Sequence, residues 1–179
     1  MTELARHKFY KDTEYDGMDY EEAIAAGMRG DRYAFVREAR ECVGTPYAHM
    51  GRVKNVGLDC IGTALWCCNK LNVLPSNYID EPYGRIPNGI MVRQLRKCCN
   101  IIWEKETAGS TPFQTLLTNG DLASFSWRRE PQHIAVMAIG EQGWNMIHAY
   151  DGSGTVIETI MDEPWVHRCQ GIYRLPDLK

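Results

Sequence analysis

One of the seven cysteines stands where a thiol could act as a nucleophile. Cys60 follows the turn Gly57-Leu58-Asp59 and opens an apolar helical pattern, so Asp59 is a candidate N-cap and Cys60 lies in the first helical turn. The unpaired N–H groups of a helix amino terminus favour an anion, which predicts a lowered pKa for this thiol. The other six cysteines, including Cys169 before the last predicted strand, are expected to be small buried hydrophobes.

Two of the five histidines lie in adjacent predicted strands. His133 opens an apolar β-rich run and His148 lies inside the next run, with Gly140-Glu141-Gln142-Gly143 as the hairpin connection. A turn centred in this connection puts His133 opposite Tyr150, so the two imidazoles become diagonal neighbours on one face, whereas a one-residue slip would separate them. The remaining histidines are expected at the surface: His7, His49 and His167.

Together these three side chains have the chemistry of acyl transfer. His133 would accept the proton of Cys60 and later donate it to a leaving amine, while His148 would orient His133 through its second ring nitrogen. The backbone N–H of Cys60 is a candidate donor to the oxyanion. This chemistry needs no metal and no other cofactor, and the lack of a Cys-x-x-Cys pair gives no support to a structural zinc site.

An α+β domain is predicted to position these residues. Helical patterns begin at Tyr33, near Cys60 and at Gly89, and β-rich runs follow at roughly ten-residue spacing. Helices followed by a strand meander predict N-terminal helices packed on a C-terminal antiparallel sheet of about five to six strands. The predicted strands are Ile101–Trp103, Leu122–Trp127, His133–Ile139, Trp144–Tyr150, Thr155–Met161 and Gly171–Leu175.

Composition excludes several classes of protein. The chain has 179 residues, 20 basic and 23 acidic, and 44% of its residues are hydrophobic. A net charge of −3 argues against a nucleic-acid partner bound by a broad basic surface, and the apolar content argues against a disordered chain. No run resembles a membrane span or a signal peptide, so we expect cytoplasmic synthesis.

The first thirty residues differ from the rest of the chain. Six acidic residues and no basic residue lie between Asp12 and Glu22. We interpret residues 1–30 as an acidic N-terminal extension and residues 31–179 as the domain. The extension either packs on the domain, contacts a partner or is a solvated arm.

Five motifs, in order, resemble the NlpC/p60 family of cell-wall cysteine peptidases. They are Gly44-Thr45-Pro46-Tyr47, Gly57-Leu58-Asp59-Cys60-x-Gly62, Gly120-Asp121-Leu122, His133-Ile134-Ala135-Val136 and Met146-Ile147-His148-Ala149. The branch found in phage tails and gene-transfer particles is the most similar, because it shares Trp127-Arg128-Arg129 and His148-Ala149-Tyr150. The resemblance extends from about Phe35 to Pro176.

The resemblance implies a papain-like fold that hydrolyses amide bonds in peptidoglycan stem peptides, often between D-glutamate and diaminopimelate. It implies a catalytic triad of Cys60, His133 and His148, with other tail or particle proteins as candidate partners. Tyr47 would lie beside the thiol, and Asp59 would be a structural residue or a contact for the substrate amine. Both are therefore candidate substrate-binding residues.

One departure from the family leaves the bond that is cleaved open. Ile61 stands where the family usually has Ser, so a hydroxyl near the substrate is missing. Two alternative functions also remain: a thiol amidase or acyltransferase with a non-wall substrate, and a structural tail-assembly component with a residual triad.

Overall fold

The computed structural model describes Glu22, Ala25, Ala26, residues 30–128 and residues 130–178. The predicted extension, residues 1–30, lies outside the described residues apart from the three named and Gly30. Gly30 is buried and its N–H donates to the carbonyl of Leu71 at 2.8 Å. A Cβ at Gly30 would lie 2.6 Å from that of Leu71, so only glycine permits this close contact.

The described residues include four complete helices. Their bounds are α1, Arg32–Glu41; α2, Cys60–Lys70; α3, Ile90–Cys98; and α4, Glu163–Arg168. Each of α1, α2 and α4 begins after an aspartate whose carboxylate accepts a hydrogen bond from the third following backbone N–H, which satisfies an otherwise unpaired donor. Helix α3 begins instead after Gly89, which has a φ of 75°. No described helix is long and apolar enough to cross a bilayer.

Within the described residues six antiparallel strands form the main sheet, in agreement with the predicted five to six. A short hairpin precedes them, made of β1, Arg52–Val53, and β2, Gly57–Leu58. The six strands are β3, Asn100–Glu104; β4, Leu122–Phe125; β5, His133–Gly140; β6, Gly143–Tyr150; β7, Thr155–Ile160; and β8, Cys169–Arg174. A 3-10 turn at Phe113–Thr115 lies between β3 and β4.

The strand order corrects the predicted meander. Strands β4 to β7 are sequential neighbours, but β8 lies between β3 and β4, giving the order β3-β8-β4-β5-β6-β7. Tyr173 of β8 pairs with Ile101 on one side and with Leu122 on the other. Its hydroxyl donates to Glu104 at 2.8 Å. In a meander β3 would pair with β4. Here β8, the last strand of the chain, lies between them.

The two faces of the sheet carry separate apolar clusters. On the helix face, one cluster lies between the sheet and helices α1 and α2. Its members include Phe35, Leu58, Ile134, Val136 and Ile147. On the opposite face, a second cluster lies between the sheet, helix α4 and the 3-10 turn. Its members include Phe113, Phe125, Met137, Met146 and Ile172. Side chains alternate along β5 and β6, so each strand contributes to both clusters.

Candidate active site

Cys60 is the first residue of α2, where the sequence placed it. Asp59 caps this helix, because its Oδ1 accepts from the N–H of Gly62 at 2.8 Å. Cys60 is partly exposed and packs beside the apolar cluster of the helix face. The thiol therefore approaches the site from that face of the sheet.

The Asp59 carboxylate is buried and fully hydrogen-bonded. Besides Gly62, it accepts from the N–H of Met50 at 2.7 Å, from Nη1 of Arg52 at 3.2 Å and from the hydroxyl of Tyr83. Only 2% of Asp59 is exposed. Because four protein donors satisfy its two oxygens, this group fixes the loop before Cys60 and the segment that carries Tyr83.

The two histidines are joined as the predicted hairpin register requires. Strands β5 and β6 pair Gly140 with Gly143, which confirms the turn. Nε2 of His133 lies 2.7 Å from Nδ1 of His148, and both residues are buried. Nε2 of His148 lies 3.4 Å from the hydroxyl of Thr159 on β7.

This chain of contacts leaves one ring nitrogen of His133 for proton exchange. If Nε2 of His133 donates to His148, then Nδ1 of His133 is the acceptor, and His148 donates in turn to Thr159. Within the described residues no hydrogen bond joins the Cys60 thiol to His133, although both line one cleft. The two groups reach this cleft from opposite faces of the sheet, at the end where His133 opens β5.

Aromatic rings surround the imidazoles on the second face. Trp165 of α4 lies edge-on to His148, with ring centroids 5.3 Å apart and planes at 87°. Trp127 lies edge-on to His133 at 5.7 Å and stacks on Tyr150. Such rings exclude water without offering a strong acceptor to a protonated imidazole.

Burial shifts the pKa values of both histidines downward. Desolvation, and then the positive charge of protonated His148, hold the pKa of His133 well below 6.5. Desolvation lowers the pKa of His148 to about 4. Both imidazoles are therefore neutral at physiological pH.

The thiol does not have the low pKa that its helical position predicted. Burial, and then the adjacent Asp59 carboxylate, raise the pKa of Cys60 to about 12. The backbone N–H groups of Ile134, Ile61 and Cys60 oppose this shift without reversing it. The prediction of a lowered pKa was wrong because it considered only the helix terminus. It left out the desolvation of the thiol and the negative charge of the Asp59 cap. These shifts favour a neutral thiol and a neutral imidazole.

The cleft has a volume of about 430 Å³ and is lined by Cys60, Tyr47 and His133. Tyr47 is partly buried, and its N–H donates to the carbonyl of Gly154 at 2.8 Å. His49, expected at the surface, is instead partly buried in the cleft wall, with Nε2 3.1 Å from the carbonyl of Tyr83. The other two histidines expected at the surface differ: the side chain of His167 is 75% exposed, and His7 lies outside the described residues.

Comparison with solved structures identifies the fold. An NlpC/P60 family protein from Bacillus cereus matches with a TM-score of 0.56 and 21% identity over 82% of this chain. An NLP/P60 family protein similar to a lipoprotein, from Staphylococcus aureus, matches with a TM-score of 0.51 and 19% identity over 80%. The chain has the NlpC/P60 fold. No protein-family profile and no curated protein matches it.

The matched region is less than half of two of these structures and nearly all of an isolated NlpC/p60 domain. The chain spans 41% of the length of the Bacillus and Staphylococcus structures. It covers 97% of the NlpC/p60 domain of peptidoglycan hydrolase SagA, with a TM-score of 0.52 and 17% identity over 80% of this chain. The similarity therefore extends over one NlpC/p60 domain.

Several residues of the site gave no clear signal in the sequence. Trp165 lies on a six-residue helix, which is too short for a periodic pattern. Tyr83 comes from the irregular segment between α2 and α3, and Thr159 is an ordinary strand residue. All three reach the site through contacts between segments distant in sequence.

Proposed function

We propose that this chain is a cysteine peptidase that hydrolyses amide bonds in the stem peptides of peptidoglycan. The observation that carries the proposal is the 2.7 Å contact between His133 and His148 at a cleft that Cys60 also lines. A thiol, a buried imidazole and a second imidazole that orients it form the constellation of a cysteine hydrolase. The NlpC/P60 fold is consistent with this chemistry.

The nucleophilic step begins from the neutral pair. As the Cys60 sulfur attacks the scissile carbonyl carbon, its proton passes to Nδ1 of His133, and the carbonyl π electrons move to oxygen. The resulting imidazolium is stabilised by His148, whose Nδ1 accepts from Nε2 of His133. The N–H groups at the start of α2 are suitable donors to the oxyanion.

Two further proton transfers complete the reaction. His133 donates its proton to the leaving amine as the C–N bond breaks, which leaves a thioester on Cys60. Water then attacks the thioester while His133 takes one of its protons. That proton returns to the departing sulfur, so a carboxylic acid is released and the thiol is regenerated.

The substrate is proposed from the fold and the resemblance together. SagA, whose domain shares the fold, is named a peptidoglycan hydrolase. The resemblance favours cleavage between D-glutamate and a diamino acid. Tyr47 is proposed as a substrate-binding residue because it lines the cleft beside Cys60. Asp59 is proposed in its structural role, because its oxygens already accept four hydrogen bonds.

A location in a phage tail or tail-like particle is proposed from sequence motifs alone. Trp127 and Tyr150, which the tail-associated branch shares, pack on His133 in this structure. These residues therefore support the histidine directly, which is compatible with an intact enzyme rather than a residual triad.

Product analysis tests the proposed reaction. Purified muropeptides are incubated with the wild type, Cys60→Ala and Cys99→Ala, and the products are identified by mass spectrometry. Cys99 is a partly buried thiol that does not line the cleft. The wild type and Cys99→Ala should release the same fragments and Cys60→Ala none. Intact muropeptides with all three proteins, alongside thiol-dependent hydrolysis of another amide, would establish the alternative non-wall enzyme.

A further inference from the structure

An apolar cavity of about 70 Å³ lies between helices α2 and α3, beside the cleft that holds Cys60. One face of α2 lines it with Ile61, Ala64 and Cys68, and α3 lines it from the other side. Leu122 of the sheet also contributes to its wall. Packed interiors leave few voids larger than a water molecule, so a cavity of this size is unusual in a small domain.

The polar side chains around this cavity are already bound to protein partners. Among its described lining residues, side-chain nitrogen or oxygen atoms belong only to Tyr78, Glu81, Tyr83 and Gln94. Nε2 of Gln94 donates to Glu81, and both tyrosine hydroxyls donate to aspartate carboxylates. Because these groups are engaged elsewhere, the cavity offers little to a water molecule, and apolar cavities of this kind stay dry and bind apolar ligands.

Three thiols on the cavity wall are consistent with dry surroundings. Cys68, Cys98 and Cys99 all line the cavity. Desolvation, and then the neighbouring thiols, raise the pKa values of Cys68 and Cys99, and desolvation raises that of Cys98. All three are therefore neutral at physiological pH and act as small apolar wall groups. The group that fits this cavity is uncharged and hydrocarbon-like.

The cavity adjoins the cleft directly. Ile61, Tyr83 and Met91 line both. Ile61 follows Cys60 in α2 and stands where the family usually has Ser, so the departure from the motif places an apolar side chain at this junction. Met91 is partly buried, and its unbranched side chain can change rotamer to open a passage. An apolar group that enters here can remain attached to a polar group in the cleft.

We propose that this cavity is an apolar subsite of the cleft, which takes an aliphatic group of about four or five carbons from a ligand whose amide lies beside Cys60. The volume sets this size, since one water-sized group needs about 10–15 Å³ and a methylene slightly more. Charged groups are excluded, because their desolvation would be uncompensated. The inference goes beyond the proposed function, which requires no aliphatic group, and rests on it only in placing the reacting amide at Cys60.

Unbranched primary amides of increasing length test the subsite by binding alone. The series from acetamide to octanamide is titrated into Cys60→Ala, and Kd is measured from the NMR signals of ¹³C-labelled methionine methyl groups. Each added methylene should lower Kd about fourfold, as the burial of one methylene supplies, until the cavity is filled near hexanamide. Octanamide should bind no more tightly than hexanamide. The Met91 signal should shift, and that of Met146, in the cluster on the opposite face, should not.

Substitutions that fill the cavity identify where the chain binds. In the Cys60→Ala background, Ala64→Leu or the smaller Ala64→Val should abolish the dependence of Kd on chain length. Ala108→Leu, at a partly buried position outside the cavity, is the control and should retain it. If neither Ala64 variant folds, the limit near hexanamide in Cys60→Ala itself decides.

The possible failures are distinguishable. A Kd that is independent of chain length, a Kd that still falls at octanamide, or an unchanged dependence in a folded Ala64 variant overturns the subsite. Length-limited binding without hydrolysis of muropeptides by the wild type would support the subsite and contradict the proposed function. Hydrolysis of muropeptides with length-independent binding of the amides would do the reverse.

Discussion

The two sides of the cleft hold the proposed catalytic groups by different means. Cys60 follows a buried carboxylate, Asp59, which is saturated by hydrogen bonds from three segments. His133 and His148 lie among aromatic rings and have few polar partners. On the polar side, which carries Cys60, Asp59 places a negative charge beside the thiol. On the aromatic side, which carries the histidines, the rings of Trp127 and Trp165 exclude solvent from the imidazoles. Both arrangements favour the neutral forms, so in the proposed mechanism the proton moves as the substrate carbonyl is attacked.

The largest expected effect comes from removing the proton acceptor on the aromatic side. His133→Ala should lower kcat/KM by about 10³-fold or more, because the thiol proton then has no acceptor. Activity on muropeptides is the measurement. His167→Ala, a substitution of an exposed histidine, is the control and should keep full activity. Full activity in folded His133→Ala would contradict the assigned base.

The next largest effect is on stability and comes from the polar side. Asp59→Ala leaves Arg52 and the Tyr83 hydroxyl without a buried acceptor and should cost about 3–5 kcal/mol of unfolding free energy. Urea denaturation measures this loss. Asp80→Ala removes the exposed partner of the same Arg52 and should cost less than about 1 kcal/mol. Equal losses would show that the buried carboxylate has no special structural role.

A third effect is the pH dependence of stability that comes from the aromatic side. The pKa of folded His148 is about 4 against an ordinary 6.5, so the unfolded chain binds its proton first as the pH falls. Stability should therefore decline between pH 6.5 and 4, with His148 contributing roughly 3 kcal/mol. Melting temperature against pH measures this decline, and it should be shallower in His148→Gln. Parallel curves for both proteins would mean that His148 is not buried in its neutral form.

The smallest effect concerns the orienting role of His148. A glutamine side-chain oxygen can still accept from Nε2 of His133, so His148→Gln should lose about tenfold in activity and His148→Ala about 100-fold. The rates are compared in variants shown to be folded, because the site is buried. A greater loss in His148→Gln than in His148→Ala would indicate that packing, rather than the accepted hydrogen bond, determines the effect.

Local signals in the sequence predicted much of this arrangement. Asp59 before an apolar helical pattern located Cys60, and the four-residue connection after Ile139 set the register that joins the histidines. Both depend on residues close in sequence, whose geometry follows from helix and hairpin rules.

Contacts between distant segments could not be predicted in this way. Tyr83 reaches Asp59 from the segment after α2, and Trp165 reaches His148 from a six-residue helix. The raised pKa of Cys60 likewise depends mainly on burial, which no single segment of the sequence determines. Sequence periodicity describes one segment at a time, whereas several segments must pack together to bury the site.

The insertion of β8 between β3 and β4 has a consequence for folding kinetics. The β5–β6 hairpin that carries both histidines closes through a two-residue turn, Glu141-Gln142, so it can form early. Strand β3 must instead wait for Tyr173 and its neighbours, which arrive after every other strand. Until then β3 and β4 each present an unpaired edge, a template for association with other chains. We therefore expect the histidine pair to assemble before the sheet is protected from aggregation.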